Sequence, residues 1–284
     1  SHAMKGSADA RVFFRWLMPV ICAILLILSC FLTAFGPCYF RAPLAENLGL
    51  ERTPVGGQEL YDTALRITEE LGAVQGDVRG SFGGETYMPY DFGTLCKKIN
   101  DAFERYAASA DYISHFRSRP KPIALSRAFT YTHISGVYSF MTGESNINTN
   151  YPDHVTPFTV AHELSHQRGI AREDEANFVA YLVCLESDDA YIRYSAYVNM
   201  LDYVLSALRS ADRTLYNSYM AEDFPPLVSA EFSSYSAFFD QYRDSVASTV
   251  TGAVNNGFLT SQGQSAGIRS YGLVVDLAVA YYKR

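Results

Sequence analysis

The stretch from 16 to 40 carries no charged residue and is dense in Leu, Ile, Val and Phe. It is long enough to cross a bilayer of about 30 Å as a helix. Past it the pattern breaks at Pro43, Pro54, Gly56 and Gly57, which predicts a linker over 41–57. Apolar positions at helical spacing predict helices over 58–71 and 92–108, separated by a loop rich in glycine at Gly76, Gly80, Gly83 and Gly84. Between 120 and 150 the pattern shortens. β-Branched and aromatic residues come in brief runs broken by Ser135-Gly136 and Thr142-Gly143, the mark of a small sheet. Thr156 followed by Pro157 then reads as an N-cap with proline in the first turn, opening a helix with Phe158, Val160, Ala161 and Leu164 on its apolar side. Gly169 can end that helix in the left-handed conformation. Glu173, Asp174 and Glu175 form the acidic first turn of the next helix, which is apolar nearly all round to 186 and so belongs in a core. Further long helices are expected over 191–210, 232–254 and 268–282. The predicted fold is α+β and mostly helical, with a small sheet ahead of the Thr156 helix and an N-terminal transmembrane helix. Its divisions are a cytoplasmic N-terminus (1–15), the span (16–40), the linker (41–57) and one domain (58–284).

Orientation follows from charge. Lys5, Arg11 and Arg15 precede the apolar stretch, whereas Arg41 behind it is soon offset by Glu46 and Glu51. By the positive-inside rule the N-terminus lies in the cytoplasm and the domain outside, at the cell membrane. A cleaved signal peptide, for which the stretch is long, and a lipoprotein signal ending Ile27-Leu28-Ser29-Cys30, a loose match, are the competing readings. With 48% hydrophobic residues the domain can build its core without disulfides. Cys96 and Cys184 sit in helical patterns without metal-ligand spacing and read as small buried hydrophobes, although outside the cell they could also pair. A net charge of −7 with no basic run argues against a nucleic-acid partner.

The chemistry concentrates in His162, Glu163, Leu164, Ser165 and His166. Two histidines four apart share one face of a helix, so both imidazoles can reach one zinc ion, with Glu163 beside them to take a proton from water. This is the HExxH pattern of zincins. A third protein ligand is needed, and Glu173 and Glu175 both follow on the next helix with apolar neighbours at helical spacing. Periodicity does not separate them. Among other polar residues, His133 and His154 read as packing or surface histidines rather than catalytic ones.

The run Glu173-x-x-Ala176-Asn177-x-Val179-Ala180 resembles the ligand helix of glutamate-type zincins such as thermolysin and the CAAX-prenyl endopeptidases. That resemblance implies Glu173 as the third Zn²⁺ ligand and Asn177, one turn on, as the residue that orients a ligand. The short gap from His166 to Glu173 departs from those families and is nearer the glycine-turn spacing of metzincins. There the third histidine would fall at Arg172, whose guanidinium stays protonated and cannot bind zinc. Over a longer span, YSFMTGESNINTNYPDHVTPFTVAHELSHQRGIAREDEANFVAYL, then RYSAY and the terminal SYGLVVDLAVAYY, closely resemble the membrane-anchored, zincin-like bacterial family catalogued as domain of unknown function 3810. The resemblance implies a zinc metallopeptidase domain and leaves its substrate open.

On zincin analogy, the strand just before the metal helix pairs with an extended substrate, which makes 144–148 the candidate edge strand, with Glu144, Asn146 and Asn148 along it. A turn shaped by the two asparagines before Pro152 is the competing reading. Tyr271, at the start of the last helix, is the candidate to stabilise the developing oxyanion, against a plain core or rim tyrosine. The expected activity is hydrolysis of a peptide or protein substrate, with one Zn²⁺ on His162, His166 and Glu173 and Glu163 as general base. Two other classes fit the same residues: a non-catalytic zinc-binding scaffold on the membrane, and a zinc amidase acting on a cell-wall substrate. An acidic base beside intact ligands favours the enzyme, since a scaffold has no need of Glu163.

Overall fold

The computed structural model describes residues 2–78, 80, 84–243, 245–261 and 273–284. Along the chain the helices and strands are α1 (His2–Ala34), α2 (Leu44–Leu48), α3 (Gly57–Gln75), α4 (Phe92–Ala107), β1 (Lys121–Pro122), α5 (Ser126–Phe129), β2 (Gly136–Ser139) and β3 (Glu144–Ile147). There follow α6 (Thr156–Gln167), α7 (Glu173–Leu185), α8 (Ala190–Ala211), α9 (Arg213–Glu222), α10 (Pro226–Asp240), α11 (Val246–Ser261) and α12 (Val274–Tyr282). The fold is mostly helical, with one small three-stranded sheet and one N-terminal apolar helix.

Helix α7 is the central post. Ten consecutive side chains from Glu175 to Cys184 are buried, so every face must be covered, and α4, α6, α8 and α12 pack around it. The outer helices are amphipathic instead. Helix α3 buries Leu60, Ala64, Ile67 and Leu71, one face at helical spacing, and lays it along α8. Helix α4 starts where the Asp91 carboxylate accepts from Thr94 N at 2.7 Å, and buries Leu95, Ile99, Phe103 and Tyr106. Cys96 and Cys184 lie buried and unpaired in this core.

Four expectations about the helices and the linker need correction, and a fifth concerns the sheet. The apolar helix ends at Ala34, not 40, because residues Gly36–Phe40 form a 3₁₀ turn that buries Gly36 and Tyr39 against the domain. The stretch 41–57 is not a free linker. Leu44, Ala45 and Leu50 join the core, Leu44 N donates to Glu175 Oε1 at 2.8 Å, and the Arg41 guanidinium donates to the carbonyls of Arg168 and Tyr112. Thr156 is not an N-cap: its φ of −61° and ψ of −44° are helical, because a 3₁₀ turn at Asp153–Val155 has already begun the winding. The helix expected over 232–254 is two helices, α10 and α11. Between them Tyr242 turns into the structure, 2% exposed, where its hydroxyl accepts from Asn150 Nδ2 and its carbonyl meets His133 Nε2.

The sheet has the order β1-β3-β2, with β1 parallel and β2 antiparallel to β3. Residues 144–148 are therefore not an edge strand. Glu144–Ile147 is the middle strand, with Asn146 facing Lys121 on one side and Val137 on the other. Asn148 is buried beyond its end, donating to Thr130 Oγ1 and the Ile134 carbonyl, both at 3.1 Å. The strand at the sheet's edge beside α6 is β2.

Candidate metal centre

Helix α6 is buried on nearly all sides from Thr156 to His166, which fixes the direction of its polar side chains. At its end Gly169 takes a φ of +83°, open to glycine at no steric cost, and the chain doubles back into α7. This turn brings Glu173 onto the two histidines. His162 Nε2 and His166 Nε2 are 3.0 Å apart, and Glu173 Oε2 lies 3.3 Å from the first and 3.5 Å from the second. Among the described residues these three form the group of ligand atoms that converges within 4.8 Å. Glu175 points elsewhere: its carboxylate accepts from Leu44 N and from Arg172 Nη1 at 3.1 Å. Arg172 also donates to the Tyr39 carbonyl, so it serves the junction with the N-terminal segment.

The tautomer of His166 is set by its other nitrogen. In the neutral imidazole, Nδ1–H donates to the Ile170 carbonyl at 2.7 Å, which leaves the Nε2 lone pair aimed at Glu173 and His162. Phe35 stacks edge-on against the His166 ring at 6.3 Å. Burial disfavours a charge on the Glu173 carboxylate, yet the positive charge on His166 and contact with both imidazoles hold it well below the usual carboxylate range. Burial likewise opposes a charged His166, but Glu173 and then Glu163 push its pKa up to about 9. Glu173 Oε2, Glu163 Oε2 and His162 Nδ1 are buried without a hydrogen-bond partner. Three convergent nitrogen and oxygen donors, with an orphaned carboxylate oxygen among them, fit a zinc ion.

Glu163 is 4% exposed, and burial raises its carboxyl pKa against the opposing charges of His162 and His166. It is walled in by β2 and β3. Ser145 Oγ donates to the Glu163 carbonyl at 2.9 Å, and Gly136 lies so close that a Cβ there would come within 2.7 Å of Glu163 Cγ.

His162, Glu163 and Asn177 line a cavity of about 790 Å³. Asn177 is one turn along α7 from Glu173, its Nδ2 buried and unpartnered. His133 and His154 also line the cavity, and neither meets the three converging donors. His133 Nε2 is held 2.8 Å from the Tyr242 carbonyl, and His154 Nδ1 is 2.9 Å from Glu231 Oε2. Glu144 pairs with exposed Lys121 and Asn146 donates to the Glu144 carbonyl, so both serve the sheet's own bonding, while Asn148 is held by Thr130 and Ile134. Tyr271 lies outside the described residues.

The far wall was not anticipated. Asn199, Asp202, Ser206 and Arg209 of α8 line it. Their spacing of three, four and three residues is a polar stripe beside a buried face that runs from Tyr191 to Leu208, and that interruption is readable in the sequence.

No curated protein and no solved structure matches the chain. The family described as "Protein of unknown function (DUF3810)" matches residues 2–279, nearly the whole length, and the chain belongs to that family.

Proposed function

We propose that this chain is a membrane-anchored zinc metallopeptidase of zincin type, with its catalytic domain on the extracytoplasmic side. The observation that carries the reading is the convergence of His162, His166 and Glu173 on the wall of a large cavity, with the Glu163 carboxylate alongside. The order of parts supports it as well: an antiparallel strand pair, the HExxH helix, a glycine turn, then a helix bearing Glu173. The membrane reading rests on α1, whose segment Phe13–Ala34 is long and apolar enough to span, with Lys5, Arg11 and Arg15 on the cytoplasmic side.

His162, His166 and Glu173 would hold a zinc ion, which would supply Lewis acidity towards a carbonyl oxygen and acidify a water. The protein's own residues do the rest. His162 and His166 present Nε2, the second held in register by Ile170, and Glu173 closes the set from α7. Glu163 takes a proton from the attacking water and returns it to the leaving amine; burial, by raising its pKa, suits it to both directions. The open edge of β2, alongside Glu163, is the place for an extended peptide to pair through its backbone.

Elemental analysis of the full chain tests the site. One zinc per chain is expected in wild type and in Glu175→Ala, and none in Glu173→Ala. Cleavage of a peptide library separates the functions: Glu163→Gln should retain zinc and lose hydrolysis altogether. A folded wild type without zinc would sink the reading, and zinc without any turnover would leave a structural zinc on a scaffold. Turnover of cell-wall amides but not of peptides would make it an amidase.

A further inference from the structure

We propose that the tip of the β2–β3 hairpin, with Phe140 and Met141, and the side chain of Phe40 insert into the bilayer leaflet in which α1 ends. The candidate site then stands in the lipid headgroup layer. This rests on the reading of α1 as a membrane span.

The apolar window Phe13–Ala34 has 22 residues, and at 1.5 Å per residue it covers about 33 Å, one hydrocarbon thickness. Its last turn is not isolated from the domain. Phe31, inside the window, is 4% exposed and meets the Phe140 ring edge-on at 5.1 Å; Phe35 meets Tyr138 at 5.3 Å. Phe140 therefore sits at the depth of a residue within the span, and Met141, the next residue of the tip, is 60% exposed. Phe40, at the end of the 3₁₀ turn, is 90% exposed. Two large apolar side chains held out beside the end of an apolar helix are suited to lipid and ill suited to water.

The hairpin cannot swing away without disturbing α6. Gln167 Nε2 donates to the Gly143 carbonyl at 2.6 Å, and Ser145 Oγ ties β3 to Glu163. The depth of the hairpin is therefore the depth of the site. Phe35, one residue past the window, contacts the His166 ring, and the headgroup layer is about 5 to 8 Å thick on each side. At that depth a polypeptide substrate is one whose cleaved segment lies against the membrane.

Tryptophan quenching in reconstituted vesicles decides this, because the chain has a single tryptophan, Trp16, three residues inside the other end of the window. The full chain is reconstituted in phosphatidylcholine brominated on the acyl chain near the headgroup. Wild type reads Trp16; the double variant W16F with Met141→Trp reads the hairpin tip; W16F with Phe40→Trp gives a second reporter. Each is checked for an unchanged circular dichroism spectrum and thermal midpoint. The expected result is that the emission of both reporters is quenched as strongly as that of Trp16. Quenching of Trp16 with neither reporter quenched overturns the inference while leaving the anchor intact. Failure to quench Trp16 itself overturns the anchor and the inference together. None of these readouts depends on zinc or on turnover.

Discussion

Gly136 occupies a position where no side chain fits. A Cβ there would lie 2.7 Å from both Cγ and Oε1 of Glu163 and 2.9 Å from Thr159 Cγ2. Glu163 is pinned at its own backbone by Ser145, so the relief available is a shift of its carboxylate. On the proposed mechanism, Gly136→Ala is expected to lower kcat/KM on the order of 100-fold by displacing the Glu163 carboxylate by about 1 Å, with zinc content unchanged. Loss of zinc in that variant would mean the strand supports the ligands rather than the base. The meeting of the two histidines was legible in the sequence because residues four apart share one face of a helix. Periodicity did not separate Glu173 from Glu175, since both stand in the same first turn; only the resemblance to glutamate-type zincins pointed to Glu173. They separate only by what they touch, two imidazoles for Glu173 and the Leu44 amide for Glu175. Gly136 was invisible for a similar reason: its constraint comes from a side chain on another element.

Among the elements, the junction between α1 and the domain departs furthest from expectation. A proline- and glycine-containing stretch looks like a linker when only local composition is read, but here it is tied down by groups distant in the chain. Arg41 spans two of them, donating to the carbonyls of Arg168 and Tyr112, and its Nη1 closes over the Gly169 turn that sets Glu173 against the histidines. Removing it leaves two partly buried carbonyls without their charged donor. Arg41→Ala should therefore cost about 2 kcal/mol of stability, read as a lower urea midpoint, and should weaken zinc retention against a chelator. An unchanged midpoint would show that water replaces the guanidinium at no cost. The long helices were legible, because a 3.6-residue apolar period is a local signal and their buried faces follow it in α3 and α4. Strand order was not. Pairing of Lys121 and Val137 with the two sides of Asn146 is a long-range choice, and the brief runs between 120 and 150 carry no mark of which becomes the middle strand.

At the scale of the whole molecule, one buried carboxylate gathers elements from four parts of the chain. Glu231 of α10 accepts from the Thr86 amide and hydroxyl in the loop before α4, and from the Tyr194 hydroxyl of α8. It also faces His154 Nδ1, in the turn that starts α6, at 2.9 Å. Burial pushes the Glu231 carboxyl up, but the hydrogen bond and charge of His154, then the Thr86 donors, outweigh it and hold the pKa below the ordinary value. A carboxylate whose folded pKa is depressed stabilises the fold fully above its unfolded pKa of about 4.3, and that contribution is lost as pH falls through the folded value. Glu231→Gln keeps the shape and removes the charge, so it isolates the contribution of the Glu231–His154 pair, while titrating groups out of contact with the pair cancel between the two proteins. The difference in urea-derived stability should be about 3 kcal/mol at neutral pH. It should narrow steadily once the pH drops below about 4.3 and level off below the folded pKa. A gap that stays constant from neutral to acid would mean that the pair is held as neutral groups. A gap that widens in acid would reverse the sign of the linkage. Because His154 also lines the cavity, the same titration should loosen the cavity wall at the start of α6, and on the proposed zinc site metal release on acidification should begin at higher pH in Glu231→Gln than in wild type.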